Sequence, residues 1–555
     1  MKAVFGKVAL FTLVAVVFFC LGHYVSLTQE ETISCDNIIK AGELIGVPLT
    51  RAEADSMLDG IASQRESYLS MRRSPLTDDV VPAMQFNPLP LGFRHQSHYK
   101  GLKFGDYSGT LRPAADEELA YMSIGELAEL IRTKQISSLE LTQFYIDRIK
   151  KLDPQLHAIV TLMEDYALEK AANADKEISQ GNHKGLLHGI PFGAKDLLSK
   201  KGFKTTWGAM PYKDQEFDVD ATVVERLENA GAVLMAKTTL GALAMGDIWF
   251  GGKTRNPWNS EKGSSGSSAG SASTVSAGLL PFAIGSETLG SIVSPSTVCG
   301  VTGLRPTYGR VSRYGAMALS WSMDKLGPLC RNVEDCAIVL AAIGGPDGKD
   351  AMVLDFPFYY EPTVDLKALR IGYVKSDFDK EYAFHSQDSV ALQVLKELGA
   401  QLIPIELPNQ PVGNMTIILS AEAAAAFEEL TLSGRDDQLV NQLKWAWPNS
   451  FRESRLIPAV EYIQANRLRT QLIRDMTDVF EKVDVYLAPS RGGSNLRVTN
   501  LSGHPSVVLP NGFSDDGTPT SITFTGRLFD EGTLLAVAKA YQEATGWHKK
   551  HPELK

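Results

Sequence analysis

The chain has 555 residues, of which 44% are hydrophobic and 22% charged, and its formal net charge is −10 at pH 7. These values are typical of globular proteins and argue against a disordered chain. An acidic balance without a long Lys/Arg run argues against a nucleic-acid platform, which needs clustered positive charge. The 5 cysteines are scattered and show no C-x-x-C spacing, which argues against a disulfide framework and a structural zinc site.

The first residues have the pattern of a targeting segment. Lys2 and Lys7 precede an uncharged run over residues 8–22, which is shorter than the roughly 20 residues needed to cross a bilayer. We therefore predict that residues 1–28 are an export signal and that the protein is periplasmic or secreted. The end of the run is a poor cleavage site, so an uncleaved anchor that holds the protein at the membrane is the alternative.

Two kinds of sequence lie between this segment and the main domain. Residues 35–73 are polar with helical spacing, and Thr50 and Glu53 occupy the positions of a capping box. Residues 74–111 contain repeated prolines and glycines without a sustained period, which predicts a long surface arm that wraps something larger. We assign both to one region, a helical preface and wrapping arm over residues 29–114.

Residues 115–555 are predicted to form the main domain. Apolar residues recur at helical spacing between 123 and 187 and predict about three helices, and a helical insertion is predicted at 412–470. Buried strands are predicted at three places: Gly231 to Lys237, Leu279 to Ile284 and Leu369 to Val374. Alternation of strands and helices predicts an α/β fold, with one large mixed β-sheet flanked by helices.

The first candidate for a functional segment is a run of small residues. Residues 263–276 read GSSGSSAGSASTVS, and ten of these fourteen are Gly or Ser. A flexible linker is the plain interpretation, but an apolar stretch and a second Gly/Ser turn at 285–293 follow, so the run lies between core elements. No Gly-Lys-Ser/Thr follows, so a phosphate-binding loop has little support. Small residues do supply exposed backbone N–H groups, which an oxyanion hole requires.

A lysine lies upstream, in the sequence GIPFGAKD at residues 189–196. The apolar neighbours of Lys195 predict that its side chain enters the core. Desolvation there would lower the pKa of the amine from about 10.4 and leave a neutral base. None of the 10 histidines lies in a recognisable nucleophile-base context, so a Ser-His-Asp hydrolase has little support. A reactive serine would need another activator.

Six motifs, in order, resemble the amidase signature family: GIPFGAKD, NPW, GSSAGSASTVSAG, GSETLGSIVSPS, CGVTGLRPTYGRVSRYG and SMDKLGP. The resemblance runs from about Ser123 to Trp547. It implies an enzyme that needs neither metal nor cofactor, with Lys195 as the base, Ser267 as a proton relay with a cis peptide bond, and Ser291 as the nucleophile. The tetrahedral oxygen would be held by backbone N–H groups of one turn, made by Thr288, Leu289, Gly290 and Ser291.

The second Gly/Ser turn departs from the family pattern. Glu287, Leu289 and Val293 stand where Asp, Gly and Arg are frequent. The combination S-E-T-x-G-S-I-V is similar to the exported bacterial peptide amidases, which remove ammonia from C-terminal amides, and less like the amidotransferase component that acts on charged transfer RNA. The sequence therefore predicts hydrolysis of a small-molecule or peptide amide through a Ser291 acyl-enzyme. The alternatives are a non-catalytic binding protein that retains the fold and an amidotransferase-like subunit.

Neighbouring polar and aromatic residues receive structural interpretations. Asp196 is interpreted as a helix cap, because a carboxylate beside the base would stabilise its ammonium form. The segment 305–310 is interpreted as a joint that fixes the sheet, and His504 as a structural residue. Trp445 and Trp447 in the insertion are interpreted as buried core, with the lining of an acyl pocket as the alternative.

Deleting residues 1–28 is expected to give a soluble and active enzyme. The reason is that the motifs for catalysis all lie beyond residue 188, and the early segment has no polar face for packing. Amide hydrolysis by the soluble fraction of the truncated protein measures this. A truncated chain that fails to fold would instead identify the segment as a core helix.

Overall fold

The structure is a computed structural model that describes most of the chain, namely residues 33–73, 80, 82 and 84–554. The chain divides into two compact units, residues 1–77 and 78–555. The export or anchor segment lies outside the described residues, so its role stays a prediction, as do the domain boundaries near residues 28 and 114. Within the described ranges, none of the helices is long and apolar enough to cross a membrane.

The described part of the first unit is a pair of helices, α1 (Cys35–Leu44) and α2 (Arg51–Met71). Each begins at a capping box, which in α2 pairs Thr50 with Glu53. The Thr50 hydroxyl accepts from the Glu53 backbone N–H at 3.3 Å, and the Glu53 carboxylate accepts from the Thr50 N–H at 2.7 Å. These contacts satisfy donors that the first helical turn leaves free, and they confirm the predicted capping box.

The second unit contains the main sheet and the helices around it. In chain order the α-helices are α3 (Asp116–Leu119), α4 (Ile124–Arg132), α5 (Ser138–Leu156), α6 (Glu164–Ser179), α7 (Thr222–Asn229), α8 (Ala269–Ser276), α9 (Val293–Cys299), α10 (Val333–Ile343), α11 (Lys375–Phe378), α12 (His385–Glu397), α13 (Ile417–Ala426), α14 (Glu428–Leu432), α15 (Trp447–Ser454), α16 (Ala459–Lys482), α17 (Asn495–Ser502) and α18 (Glu531–Thr545).

The strands of this unit are β1 (Ile159–Leu162), β2 (Pro191–Lys195), β3 (Val233–Thr238), β4 (Ile248–Trp249), β5 (Gly252–Lys253), β6 (Arg255–Asn256), β7 (Asn259–Gly263), β8 (Phe282–Glu287), β9 (Thr302–Arg305), β10 (Lys325–Cys330), β11 (Ile371–Val374), β12 (Leu402–Ile405), β13 (Val485–Pro489), β14 (Ser506–Phe513) and β15 (Pro519–Gly526). One 11-stranded sheet has the order β1-β3-β2-β8-β10-β9-β14-β15-β13-β11-β12, and β4–β5 and β6–β7 form two small sheets. Because parallel and antiparallel pairs both occur, the predicted large mixed sheet is confirmed.

The centre of the sheet brings two distant parts of the chain together. Strand β2 is parallel to β3 and β8, and Phe192 pairs with Phe282. All residues of β2 and β8 are buried, and the rings of Phe192 and Phe282 stack at 5.4 Å between centroids. Parallel strands end at the same edge of a sheet, where ligands of open α/β sheets bind. Lys195, which ends β2, and the turn after Glu287, which ends β8, therefore meet at one edge.

The sequence located most of the elements around this centre. Helices α4, α5 and α6 are the three predicted between residues 123 and 187, but the short strand β1 between α5 and α6 was not predicted. The predicted strand Leu279 to Ile284 is wrong at its start, because β8 begins at Phe282. Pro281 has no N–H to donate to a neighbouring strand, so pairing begins only after it.

The segment 84–113 has no helix or strand and lies along the surface of the second unit. Its backbone pairs briefly with Tyr360, which accepts from the Lys103 N–H and donates to the Gly101 carbonyl, both at 2.8 Å. The ring of Phe86 lies 4.9 Å from that of Tyr308. These contacts satisfy backbone groups that an irregular segment would otherwise leave to water.

The predicted insertion at 412–470 contains helices α13 to α16, the last of which continues to Lys482. Trp447, at the start of α15, is buried, and its indole N–H donates to the Leu243 carbonyl at 2.8 Å. Trp445 was expected in the core, and this is wrong. It is 61% exposed, because it lies in the loop before α15 and not on the packed face of the helix.

Candidate active site

Lys195 is a fully buried group at the centre of the candidate site. It ends β2, and its side chain has no exposed surface. Its Nζ lies 2.8 Å from Ser267 Oγ, 3.1 Å from Ser268 Oγ and 2.8 Å from Ser286 Oγ. Burial lowers the pKa of Lys195 to about 7, against a smaller opposing effect of the acidic groups Asp324 and Glu287. The side chain therefore enters the core, as the sequence predicted.

Ser267 and Ser291 lie on two segments that are joined by their backbones. The peptide bond between Gly266 and Ser267 is cis. The Ser268 N–H donates to the Ser291 carbonyl at 3.1 Å, which ties the first Gly/Ser segment to the second. Ser291 is 9% exposed, whereas Ser267 is 1% exposed. Of the predicted relay and nucleophile, Ser291 is thus the one that solvent reaches.

Only glycine fits at residue 266. A Cβ there would lie 1.9 Å from the Gly246 carbonyl oxygen, which belongs to the loop after β3. Two residues of that loop, Leu243 and Ala244, have positive φ angles of 51° and 62°. The Gly/Ser segment therefore packs backbone against backbone, which any larger side chain would prevent.

The turn from 288 to 291 is the predicted site of an oxyanion hole. Among the described residues, the N–H groups of Thr288, Leu289, Gly290 and Ser291 donate to no protein acceptor. Gly290 has a φ of +93°, in the left-handed region that glycine adopts without strain. A run of free N–H groups beside a serine hydroxyl can stabilise negative charge on an adjacent oxygen.

Glu287 closes this turn from behind. Its Oε2 accepts from the Ile292 and Val293 N–H groups at 2.8 and 2.9 Å, and its Oε1 accepts from Arg305 at 2.7 Å and Asn500 at 2.8 Å. Burial opposes the charge of Glu287, but Arg305 and the Val293 N–H outweigh it and lower the pKa to about 2. The buried carboxylate thus fixes both ends of the turn that carries Ser291.

A second carboxylate holds the same turn from the side. The Thr288 hydroxyl donates to Asp324 at 2.5 Å, and the other oxygen of Asp324 accepts from the Leu319 and Ser320 N–H groups at 2.8 and 2.9 Å. Burial raises the pKa of Asp324. Asp324 therefore links the candidate oxyanion turn to the loop before β10.

Asp196 does not cap a helix, so that interpretation is wrong. The residues after it form a turn, and its carboxylate pairs with the buried Lys237 at 2.6 Å and accepts from the Thr206 N–H at 2.9 Å. Because Lys237 compensates this charge, Asp196 does not stabilise an ammonium on the neighbouring Lys195. The sequence showed that Asp196 must not stabilise the ammonium form of Lys195, but it did not identify Lys237 as the partner of Asp196.

Sequence reasoning also missed Ser268 and Ser286 as partners of Lys195. Ser286 lies on β8 two residues beyond Ile284, which pairs with Ala194 on β2. Continuing this register places Gly285 opposite Lys195, so Ser286 lies one residue further along, near the edge where both strands end. A Ser in the GSETLG motif was visible in the sequence, but its distance from Lys195 depends on that register.

The remaining predicted residues have structural contacts. Arg305 donates to the His504 carbonyl at 3.0 Å and to Ser506 at 2.8 Å, besides its pair with Glu287. His504 is buried on the ring of Phe480, and burial lowers its pKa to about 3. Within residues 33–73 and 84–554, no three His, Cys, Asp or Glu side chains cluster as metal ligands would.

Comparison with known proteins identifies the class. The family model for Amidase matches residues 140–497, so the chain belongs to the amidase signature family. A similar curated protein is a glutamyl-tRNA(Gln) amidotransferase subunit of Roseiflexus castenholzii, 36% identical over 488 residues, which cover 79% of this chain and 98% of the relative.

Two solved structures are also similar. The native peptide amidase of Stenotrophomonas maltophilia has a TM-score of 0.70 and 30% identity, with 78% of this chain and 99% of that chain covered. An amidase family protein of Bacillus anthracis has a TM-score of 0.72 and 27% identity, with 79% and 94% covered. The relatives thus include both peptide amidases and amidotransferase subunits, and the chain is an enzyme that acts on amide C–N bonds.

Replacing Glu287 with Gln is expected to lower the free energy of unfolding at pH 7 by about 3 to 5 kcal/mol, because Arg305 then lacks its buried counter-charge. The pKa of Glu287 is lower in the folded chain than the ordinary 4.5, so its contribution is present above about pH 4.5 and is lost as pH falls toward about 2. Denaturant unfolding of the unmodified protein and the variant from pH 7 to pH 3 measures this. The difference between their free energies of unfolding should become smaller at low pH.

The control for this experiment is Glu261→Gln, which removes an exposed carboxylate and should change stability by less than about 0.5 kcal/mol. An equally stable Glu287→Gln protein would contradict the assigned role of the carboxylate.

Proposed function

We propose that the protein hydrolyses a carboxylic amide through an acyl-enzyme on Ser291, with Lys195 as the base and Ser267 as the proton relay. The observation that carries this proposal is the buried Lys195 Nζ, 2.8 Å from Ser267 Oγ and with a pKa of about 7. A buried amine that is half neutral at physiological pH is a competent general base, whereas an ordinary lysine is not.

The first half of the reaction transfers the acyl group. Neutral Lys195 takes the Ser267 hydroxyl proton as Ser267 takes that of Ser291, and Ser291 Oγ bonds to the amide carbonyl carbon. The carbonyl oxygen becomes an anion, which the free N–H groups of residues 288–291 stabilise; one such donor is worth about 3 to 4 kcal/mol in comparable enzymes. The C–N bond then breaks, and the leaving nitrogen takes the proton back from Lys195 through Ser267.

The second half repeats this path with water. A water molecule gives its proton through Ser267 to Lys195 and attacks the ester carbon, and the tetrahedral oxygen is held by the same turn. The ester bond breaks, and Ser291 recovers a proton along the path in reverse. The products are the carboxylic acid and ammonia or an amine, so no metal or cofactor enters the proposed steps.

The substrate is proposed to be a peptide amide or a small-molecule amide. The S-E-T-x-G-S-I-V turn and the likeness to a peptide amidase structure support this choice. The curated amidotransferase relatives support a second candidate, an amidotransferase-like subunit, which would work with a partner. Export or membrane anchoring through residues 8–22 belongs to the first candidate and remains a proposal.

Ser291→Ala is expected to abolish turnover and to leave the fold intact, because only the attacking oxygen is removed. The assay is hydrolysis of peptide amides, aryl amides and fatty amides by the purified chain, with free glutamine as the test of the second candidate. A fluorophosphonate probe should label Ser291, as mass spectrometry of the digested protein would show. Labelling elsewhere, or undiminished hydrolysis by the variant, would defeat the assignment. Absence of labelling in the unmodified protein would favour a non-catalytic binding protein.

The acylation rate is expected to rise with pH through about 7 and then to level, since only unprotonated Lys195 can take the proton. Lys195→Arg keeps a positive charge but has no accessible neutral form, so it should lose activity as completely as Lys195→Ala, by about 100-fold or more. Ser267→Ala should lose less than Ser291→Ala, since water can pass the proton. Pre-steady-state rates from pH 5 to pH 9 measure these effects. A near-normal rate for Lys195→Arg would leave Lys195 as a structural charge.

A further inference from the structure

Three hydroxyl groups lie within hydrogen-bond distance of Lys195 Nζ, and the proposed mechanism uses only one. Besides Ser267, these are Ser268 at 3.1 Å and Ser286 at 2.8 Å. Ser286 is as close to the amine as the proposed relay is. A neutral amine has two N–H donors and one lone pair, so three hydroxyl partners fill its hydrogen-bonding capacity.

The role of Ser268 follows from its backbone contacts. Its Oγ donates to the Ser286 carbonyl at 3.1 Å and accepts from the Ser286 N–H at 3.2 Å. A hydroxyl has a single hydrogen, so Ser268 can only accept from Lys195. One N–H and the lone pair of the neutral amine are then left for Ser267 and Ser286.

These two hydroxyls compete for the lone pair. Proton transfer requires that the Ser267 hydroxyl points its hydrogen at the lone pair, so Ser286 must accept the remaining N–H. We propose that Ser286 is a positioning residue, which accepts an N–H of neutral Lys195 and thereby directs the amine lone pair at Ser267. This inference rests on the proposed function, since it assigns the orientation of the same base.

The fold holds Ser286 in place for this task. Its backbone N–H and carbonyl are both hydrogen-bonded to the Ser268 hydroxyl, and it pairs with Leu326 on β10. The preceding Gly285 packs so tightly that a Cβ there would lie 2.7 Å from Ser268 Oγ. Because the strand cannot shift at this point, the Ser286 hydroxyl presents a fixed acceptor to Lys195.

The charged groups that act on Lys195 are Asp324, from the loop before β10, and Glu287, from the end of β8. Both favour the ammonium form, and Ser286→Ala leaves both in place. A hydroxyl oxygen is a better acceptor for an ammonium than for an amine, so its removal disfavours the charged form further. The variant should therefore have a lower Lys195 pKa together with a poorly oriented lone pair.

The experiment measures the rate at which the fluorophosphonate probe labels Ser291 from pH 5 to pH 9, which requires no knowledge of the natural substrate. Ser286→Ala should lower the limiting rate at high pH by about 10- to 100-fold and move the acidic midpoint down by about 0.5 to 1 pH unit. Ser286→Thr keeps the hydroxyl and should restore most of the rate and the midpoint.

The matched control is Ser276→Ala, which removes a buried hydroxyl at the end of α8 that has no hydrogen-bond partner among the described residues. It should leave both the rate and the midpoint unchanged. Ser286→Cys carries a weak acceptor and should resemble Ser286→Ala, which keeps the test available if the alanine variant does not fold.

An unchanged limiting rate in Ser286→Ala would overturn the inference. A rate reduced equally at every pH, with an unmoved midpoint, would also overturn it, because loss of packing alone predicts that result. Both outcomes leave the proposed function standing as long as the unmodified protein is labelled at Ser291 and Lys195→Arg is not. Unmodified protein that escapes labelling would instead remove the proposed function itself.

Discussion

The burial of Lys195 without a carboxylate partner is the constraint on which the rest of the site depends. An amine remains half neutral near pH 7 only where it is cut off from water and where no carboxylate pairs with it. The structure meets both conditions, because the nearby carboxylates have other partners: Asp196 pairs with Lys237, Glu287 pairs with Arg305, and Asp324 accepts from the Thr288 hydroxyl and two backbone N–H groups. Hydroxyl groups take the places around the amine that charged groups would otherwise occupy. They satisfy its hydrogen bonds without fixing its charge.

One of these buried ion pairs also fixes the geometry of the candidate site. Glu287 binds the start of α9 and anchors to Arg305, so the turn that carries Ser291 has little freedom to relax. A preorganised set of donors stabilises a transition state more effectively than one that must rearrange. The main effect of this buried ion pair is therefore to hold the turn in position, since a buried pair contributes little net stability compared with apolar residues.

Several hydrogen bonds attach the helical insertion to this centre. Trp447 binds the carbonyl of Leu243, in the loop whose Gly246 carbonyl packs on Gly266. Arg469 binds the carbonyl and hydroxyl of Ser322 at 2.8 and 2.9 Å, two residues before Asp324. The proteins similar to this chain include a peptide amidase and an amidotransferase subunit. Fold alone therefore does not choose the substrate.

The sequence by itself determined the family, the large mixed sheet and the burial of Lys195, because these follow from local patterns: ordered motifs, alternating apolar segments and the apolar neighbours of one lysine. Tertiary structure alone decided which groups surround that lysine. The register of β2 and β8 brings Ser286 near it, and Asp196 pairs with Lys237 on β3. Trp445 is exposed because it lies in the loop before α15. Register and long-range pairing are set by the packing of whole strands, so a local pattern cannot carry them.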